Sequence, residues 1–106
     1  MNYQLILNTC PDFKVAQQLA QQIIENELAA CVNILPQSTS VYRWQGKIET
    51  AQEHLLLIKA PSQHYVLIEQ FLISHHPYDV PEIIAVSIEN GLPDYLQWID
   101  SCFAPK

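Results

Sequence analysis

The sequence predicts an α+β domain in which a four-stranded antiparallel sheet carries two helices on one face. Three observations support this prediction. The apolar residues alternate between a two-residue and a 3.6-residue period in the order β-α-β-β-α-β, and one more helical pattern follows. A Gln-Gly turn joins the two middle strands directly. The chain of 106 residues shows no linker, internal repeat or low-complexity segment, so we assign residues 1–106 to a single domain.

The first strand and helix follow from residues 3–26. Apolar and polar residues alternate over residues 3–9, which predicts a strand. Cys10-Pro11-Asp12 ends that strand, and Asp12 is the expected helix N-cap because its carboxylate can accept a bond from the first turn. Apolar residues then recur at spacings of three and four between Val15 and Ile23. This spacing predicts an amphipathic helix of about 14 residues that ends near Asn26.

The middle of the chain predicts a long β-hairpin. Residues 30–34 have the pattern of a strand, which Pro36 interrupts and which resumes over residues 40–44. Proline removes one donor from the ladder of hydrogen bonds, so we expect a bulge, a kink or an edge there. Gln45-Gly46 is the turn, and residues 47–60 form the answering strand. A two-residue turn places Trp44 opposite Lys47, in a hairpin too long for one small domain to cover.

The remaining elements follow in order. The apolar run at residues 55–58 is typical of a strand buried on both faces. Pro61-Ser62 opens the second helix, with Ser62 as its expected N-cap. Residues 82–88 form the fourth strand, and Pro93 lies near the start of a last helix.

Apolar residues occupy both faces of several predicted strands, whereas the two main helices cover one face only. Charged residues make up 15% of the chain, against roughly 25% in an average soluble domain. We therefore expect the second face of the sheet to be covered by the last helix or by other copies of the chain. The sequence predicts an oligomer.

Composition excludes several classes of protein. The net charge is −6, and the five Lys and Arg residues form no run, which argues against a nucleic-acid partner. No apolar stretch is long enough for a membrane span, and the N-terminal residues lack a signal-peptide pattern, so we expect a cytoplasmic protein. The three cysteines have the spacing of neither a disulfide framework nor a CxxC zinc site.

Two adjacent imidazoles, His75 and His76, stand where the second helical pattern stops against Pro77. Neutral imidazole is the commonest protein ligand for borderline transition metals. A residue before proline is pushed out of helical geometry, so the two rings are expected to point in different directions. The pair is a candidate metal site. The competing interpretation is structural, because a histidine near a helix C-terminus can bond the last carbonyls and favour the helix dipole.

A second set of residues combines aromatic rings with charges. Aromatic residues on a protruding hairpin are typical of interface anchors. Glu53 and Lys59 are six residues apart and share one strand face, where a charge needs an ion pair or a hydrogen bond, expected here across subunits. The functional interpretation is a cleft between protomers that receives a small ligand or a cation; the alternative is a satisfied interface network. The set comprises Tyr42, Trp44, Glu53, Lys59, Tyr78 and Glu82.

Six segments, in order and at matching spacing, resemble the CutA family of divalent-cation (copper) tolerance proteins over nearly the whole chain. They are Leu28-Ala29-Ala30-Cys31-Val32-Asn33, Ser40-Val41-Tyr42-Arg43-Trp44-Gln45-Gly46-Lys47-Ile48, Leu57-Ile58-Lys59, His75-His76-Pro77-Tyr78, Pro81-Glu82-Ile83 and Asp94-Tyr95-Leu96-Gln97-Trp98. The resemblance implies a ferredoxin-like fold, a tight homotrimer, a cytoplasmic location in bacteria and a link to copper and other divalent metals. It also implies kinship in architecture with the trimeric PII signalling proteins.

The resemblance also implies copper ligands at His75 and His76 and at a cysteine late in the first strand. The position of that cysteine is Asn8 in this chain. Cys10 lies two residues further on and shares the side of Asn8 if the strand continues. Whether Cys10 takes the place of the missing thiolate stays open at this point.

These observations predict a non-enzymatic, trimeric protein of divalent metal binding, tolerance and response, with copper or another divalent cation as ligand and no organic cofactor. Its partners would be its own copies and metal ions, with no nucleic acid and no membrane. The alternatives are a PII-like module that senses a small ligand and a structural interaction scaffold. No catalytic triad, HExxH motif or phosphate-binding loop is present. Cys31 lies between apolar residues, where a thiol is inert.

Overall fold

The computed structural model describes residues 2–103. Four strands and three helices follow one another as β1 (Tyr3–Cys10), α1 (Phe13–Glu25), β2 (Cys31–Trp44), β3 (Lys47–Pro61), α2 (Tyr65–His75), β4 (Ile83–Ile88) and α3 (Pro93–Ser101). The strands form one antiparallel sheet in the order β2-β3-β1-β4. This order is that of split β-α-β units joined by a central hairpin. The predicted α+β class and element order are confirmed.

The core lies between the sheet and the two helices α1 and α2. Strand residues that alternate along β1 and β3, such as Ile6 and Ile58, are fully buried on this side. They meet Ile23 of α1 and Ile68 and Leu72 of α2, which are also fully buried. The apolar stripe predicted for the first helix is therefore its core-facing side.

The hairpin of β2 and β3 has the predicted register, with Trp44 opposite Lys47. Gln45 and Gly46 have φ values of 50° and 78°, as a two-residue turn of this hand requires. A shift of register between Leu35 and Ser38 confirms the irregularity expected at Pro36, and β2 continues through it as one strand. The hairpin makes the chain elongated, with extents of 49 × 26 × 22 Å.

The face of the sheet opposite α1 and α2 is called the open face below. Leu55 and Leu57 lie on it and stay partly exposed, so the prediction of a strand buried on both faces is wrong for the isolated chain. The helix α3 covers one end, where Tyr3 donates a hydrogen bond to Asp100 and Ile99 is fully buried. The rest of the open face carries large exposed apolar side chains: Leu35, Tyr42, Trp44, Ile84 and Val86.

The two predicted helix caps have different outcomes. The Asp12 carboxylate accepts a bond of 2.9 Å from the backbone N–H of Val15, which confirms it as the N-cap of α1. The prediction for Ser62 is wrong, because Ser62–His64 form a short 3₁₀ turn and α2 begins at Tyr65. The Ser62 amide donates to the Asn2 carbonyl at 2.9 Å, which keeps it tied to the strands.

Candidate functional site

The two histidines lie at the C-terminal end of α2 and point to different elements. His75 is the last helical residue, and its Nδ1 donates to the Phe71 carbonyl at 2.8 Å, one turn earlier on the same helix. Its ring also stacks on the Phe71 ring, with centroids 4.2 Å apart. His76 is extended, with φ −80° and ψ 141°, as the residue before Pro77 should be. Its ring reaches β1, where Nε2 lies 2.9 Å from the Thr9 carbonyl oxygen. The predicted divergence of the two rings is confirmed.

The hydrogen bonds of His76 determine its tautomer. Nε2 faces a carbonyl oxygen and must therefore carry the proton, while Nδ1 accepts the backbone N–H of Tyr78 at 3.1 Å. Burial lowers the pKa of His76, which keeps the ring neutral near pH 7. Both ring nitrogens thus have protein partners. A metal ion can reach Nδ1 only if the bond to the Tyr78 amide breaks.

The His75 ring differs from the His76 ring in its exposure and in its tautomer. It is exposed, and because Nδ1 donates its proton to a carbonyl, Nε2 is the nitrogen with the lone pair. Metal-binding histidines almost always donate their other ring N–H to a carbonyl or carboxylate, which sets the tautomer and orients the ring. The hydrogen bond to the Phe71 carbonyl therefore sets the tautomer and orientation of the His75 ring in the way that is usual for a metal ligand. The same bond and the stacking on Phe71 also satisfy the structural interpretation.

Cys10 lies beside His76, with Sγ 4.0 Å from Nε2 and 3.4 Å from the Asn8 Oδ1. The strand does continue to Cys10, so the two residues share one side, as the sequence suggested. Burial, with smaller contributions from Glu53 and Asp12, raises the pKa of the Cys10 thiol to about 12. The thiolate is the form that binds metals, so an ion bound at Cys10 would have to displace the thiol proton.

The Asn8 side chain forms a hydrogen bond to the backbone just before β4. The side chain is fully buried, and its Nδ2 donates to the Glu82 carbonyl at 2.8 Å. Its Oδ1 accepts the Cys10 thiol. The amide therefore joins β1 to the segment that leads into β4.

The donor set does not fit a closed metal site within one chain. Between residues 2 and 103, no three His, Cys, Asp or Glu side chains come close enough together to hold a metal ion. A structural zinc site needs four protein ligands, and a catalytic one needs three. A metal site formed by the described residues of one chain would therefore have fewer than three of these side chains as ligands.

A pocket of about 720 Å³ opens beside the hairpin, where the end of β1, the strands β2 and β3 and the segment 78–82 meet. Five of the six residues predicted for the cleft line it: Tyr42, Trp44, Glu53, Tyr78 and Glu82. Lys59 shares the open face but lies towards α3, where its Nζ donates to the Tyr95 hydroxyl at 3.4 Å. Sequence reasoning missed Asp79 and Ser40, which also line the pocket. The alternation of residues 40–44 was a signal for Ser40.

Tyr78 closes one wall of this pocket. Its hydroxyl donates to a Glu53 carboxylate oxygen at 2.8 Å. Burial, followed by the hydrogen bond to Glu53, raises the pKa of Tyr78, so the phenol stays protonated and remains a donor. Within the chain, Glu53 and Lys59 thus each bond to a tyrosine hydroxyl. The ion pairs or hydrogen bonds expected for them across subunits stay a prediction.

Comparison with known proteins decides the family. The CutA1 divalent ion tolerance protein family matches residues 4–102. The chain belongs to the CutA1 family. The divalent-cation tolerance protein CutA of Thermus thermophilus is 43% identical, over 91% of this chain and 93% of that protein. The mouse Protein CutA is 48% identical over 86% of this chain, and this chain spans about half (51%) of the mouse protein.

Solved CutA structures have the same fold. The CutA of Xylella fastidiosa is 45% identical with a TM-score of 0.94, covering 98% of this chain and 100% of that one. The CutA1 of Oryza sativa is 37% identical with a TM-score of 0.95, covering 100% of this chain and 97% of that one. The CutA of Archaeoglobus fulgidus is described as periplasmic. In the described part of this chain, no helix is long and apolar enough to cross a membrane.

Proposed function

We propose that this CutA1 family member is a non-enzymatic, cytoplasmic homotrimer that binds copper(II) or a similar divalent cation and so contributes to metal tolerance. The single observation that carries the binding is the exposed His75 ring, whose Nδ1 is bonded to the Phe71 carbonyl and whose Nε2 holds the lone pair. The names of the relatives, which refer to divalent cations, support the same role.

His75 is the first ligand in this proposal, and His76 is the second. Copper(II) is the divalent first-row ion that nitrogen ligands bind most tightly. His76 joins only after its Nδ1 gives up the Tyr78 amide, since Nε2 keeps its proton for the Thr9 carbonyl. The low ligand count predicts weak, exchangeable binding, which suits response or buffering better than permanent storage.

Isothermal titration of the tag-free protein with copper(II) tests the proposal. We expect His75→Ala to weaken binding by about tenfold or more, because loss of a ligand costs at least as much as loss of its hydrogen-bonding partner. His75→Ala/His76→Ala should remove the remaining affinity. His54→Ala is the matched control, since that ring packs against Phe13 on another element. Unchanged stoichiometry and affinity in the double variant would reject the metal site.

The exposed apolar side chains of the open face support the proposal of a trimer. They include Val86, which is 50% exposed and lies on the edge strand β4. Two further copies that covered this face would bury such residues and stabilise the assembly by about 25 cal/mol for each Å² of apolar surface removed from water. In the isolated chain that surface stays in contact with water.

Sedimentation velocity with a pair of matched variants tests the assembly. Val86→Glu places a charge on the open face, whereas Val66→Glu places one on the outer side of α2 at a similar exposure of 57%. We expect the wild type and Val66→Glu to sediment as trimers and Val86→Glu to dissociate. A folded wild-type monomer at micromolar concentration would refute the trimer.

The pocket beside the hairpin favours a second candidate function, a PII-like module that senses a small ligand. Its volume of about 720 Å³ lies in the usual range for ligand sites. A thermal-shift screen separates the candidates: stabilisation by one metabolite, and not by metal ions, favours sensing. A structural scaffold predicts stabilisation by neither.

A further inference from the structure

The pocket beside the hairpin is lined mainly by aromatic, aliphatic and acidic side chains. Three aromatic residues, Tyr42, Trp44 and Tyr78, share its apolar surface with Val41, Ala51 and Val80, and the first two are 45% and 58% exposed. Three carboxylates complete it: Glu53, Asp79 and Glu82. Among the described lining residues there is no Lys, Arg or His. A pocket with aromatic faces and only negative charges attracts cations and repels anions.

Two basic residues lie near the pocket but do not line it. Lys47 is the cross-strand partner of Trp44 and lies at the tip of the hairpin, outside the pocket lining. Arg43 is one residue away from Trp44, and successive side chains of a strand point to opposite faces. Neither lines the pocket, so the charged groups of its described lining are the three carboxylates.

The wall formed by Tyr78 is held at both ends before any ligand arrives. Its backbone N–H donates to His76 Nδ1 at 3.1 Å, and its hydroxyl donates to Glu53 at 2.8 Å. That hydroxyl occupies one carboxylate oxygen of Glu53 and leaves the second oxygen for a ligand. A ring and a carboxylate fixed in this way bind with little loss of side-chain entropy.

Bare metal ions are poorly suited to this pocket. A hard divalent cation needs several oxygens converging at roughly 2.0–2.6 Å, and residues 2–103 contain no such group of three acidic, His or Cys side chains. An organic ammonium needs no convergence. Its head can pair with one carboxylate, while its methyl or alkyl groups lie on aromatic faces.

We propose that this pocket binds a small organic cation, an alkylammonium or quaternary ammonium compound with an apolar body. Glu53 provides the counter-charge, and Tyr42, Trp44 and Tyr78 provide the aromatic surface. His75 does not line this pocket, so each proposal has its own probe: choline without added metal tests the pocket, and copper(II) without choline tests the two histidines. In the proposed trimer a neighbouring copy would narrow the open side of the pocket.

A pair of probes that differ only in charge tests the proposal on the full chain in its native assembly. Choline carries a trimethylammonium group, and 3,3-dimethylbutan-1-ol is its neutral isostere. We expect choline to bind in isothermal titration, and the neutral compound to bind at least about tenfold more weakly. Glu53→Gln, which keeps an acceptor for Tyr78, should weaken choline binding by about tenfold, as loss of a charged partner does. Trp44→Leu should weaken it by about threefold to tenfold.

Two control variants match these changes elsewhere on the chain. Glu89→Gln removes the same charge from an exposed site outside the pocket, and Trp98→Leu removes a similarly exposed indole from α3. Both should bind choline like the wild type. If Trp44→Leu fails to fold or assemble, the Glu53→Gln result decides by itself.

Three results would overturn the proposal. Equal affinity for the neutral isostere would show a merely apolar pocket, and no binding of choline would show that neighbouring copies fill the space. Full competition by magnesium ions would identify an inorganic cation site. A copper(II) titration of Glu53→Gln identical to that of the wild type is expected in every case, which keeps this test separate from that of His75.

Discussion

Replacement of Asn8 tests whether the buried amide joins β1 to β4. Asn8→Ala removes the 2.8 Å bond to the Glu82 carbonyl and the acceptor of the Cys10 thiol. A polar group left without its buried partner costs about 1–3 kcal/mol. The side chain is fully buried, so the space it leaves adds a further cost of about 1 kcal/mol. We expect the free energy of unfolding to fall by about 2–4 kcal/mol.

Urea unfolding followed by circular dichroism, at one fixed protein concentration, measures this loss. For a chain of this length the change corresponds to a lower melting temperature on the order of 10 °C. Asn8→Leu separates the two terms, because it restores most of the volume but not the hydrogen bond. Gln18→Ala is the surface control, since Gln18 is exposed on α1 and such changes usually stay within about 0.5 kcal/mol.

Amide hydrogen exchange gives a second, local readout. In Asn8→Ala, exchange should accelerate more in Ile83–Ile88 than in β3, because only β4 loses its tie to the buried amide. A loss below about 0.5 kcal/mol, or one equal to that of Gln18→Ala, would refute the reasoning. Uniform acceleration over the sheet would do the same.

Three other predictions concern single side chains. Asp12→Ala should lower the free energy of unfolding by about 1 kcal/mol, since it removes the N-cap bond to Val15. Its control is Asp94→Ala, because the Asp94 side chain makes no cap bond among the described residues. Cys10, which is fully buried, should resist iodoacetamide at pH 8, as mass spectrometry would show. Because the thiol pKa of Cys10 rises from 9.0 to about 12 on folding, stability should fall as pH rises through that interval, and Cys10→Ala should lose this dependence. Tyr78→Phe should cost about 1 kcal/mol through its bond to Glu53.

The hairpin could be predicted residue by residue because its register depends on a local signal. A two-residue turn at Gln45-Gly46 determines the pairs from Trp44–Lys47 to Ser38–Glu53, and the bulge near Pro36, where the register shifts, follows from the missing proline donor. The start of α2 could not be predicted in the same way. The Ser62 amide donates to the carbonyl of Asn2, which is distant in the sequence, and no local pattern predicts this contact.

The candidate site shows the same division between local and distant causes. Pro77 predicts that the two histidine rings diverge, since a residue before proline leaves helical geometry. The tautomer of His76 depends on the Thr9 carbonyl, 67 residues earlier in the chain, and no sequence pattern reveals it. The raised pKa of Cys10 likewise comes from burial by the assembled core. Chemistry that needs the complete fold is what sequence reasoning left open.

The hydrogen bond from the Tyr78 backbone N–H to His76 Nδ1 would couple the two proposed ligands. An ion that takes the Nδ1 lone pair must detach the Tyr78 backbone, and that tyrosine orients Glu53 in the pocket. Occupancy of one proposed site would therefore weaken affinity at the other, and thermodynamic reciprocity would make the two losses equal. A saturating divalent ion should then lower the affinity for choline by the same factor by which choline lowers the affinity for the ion.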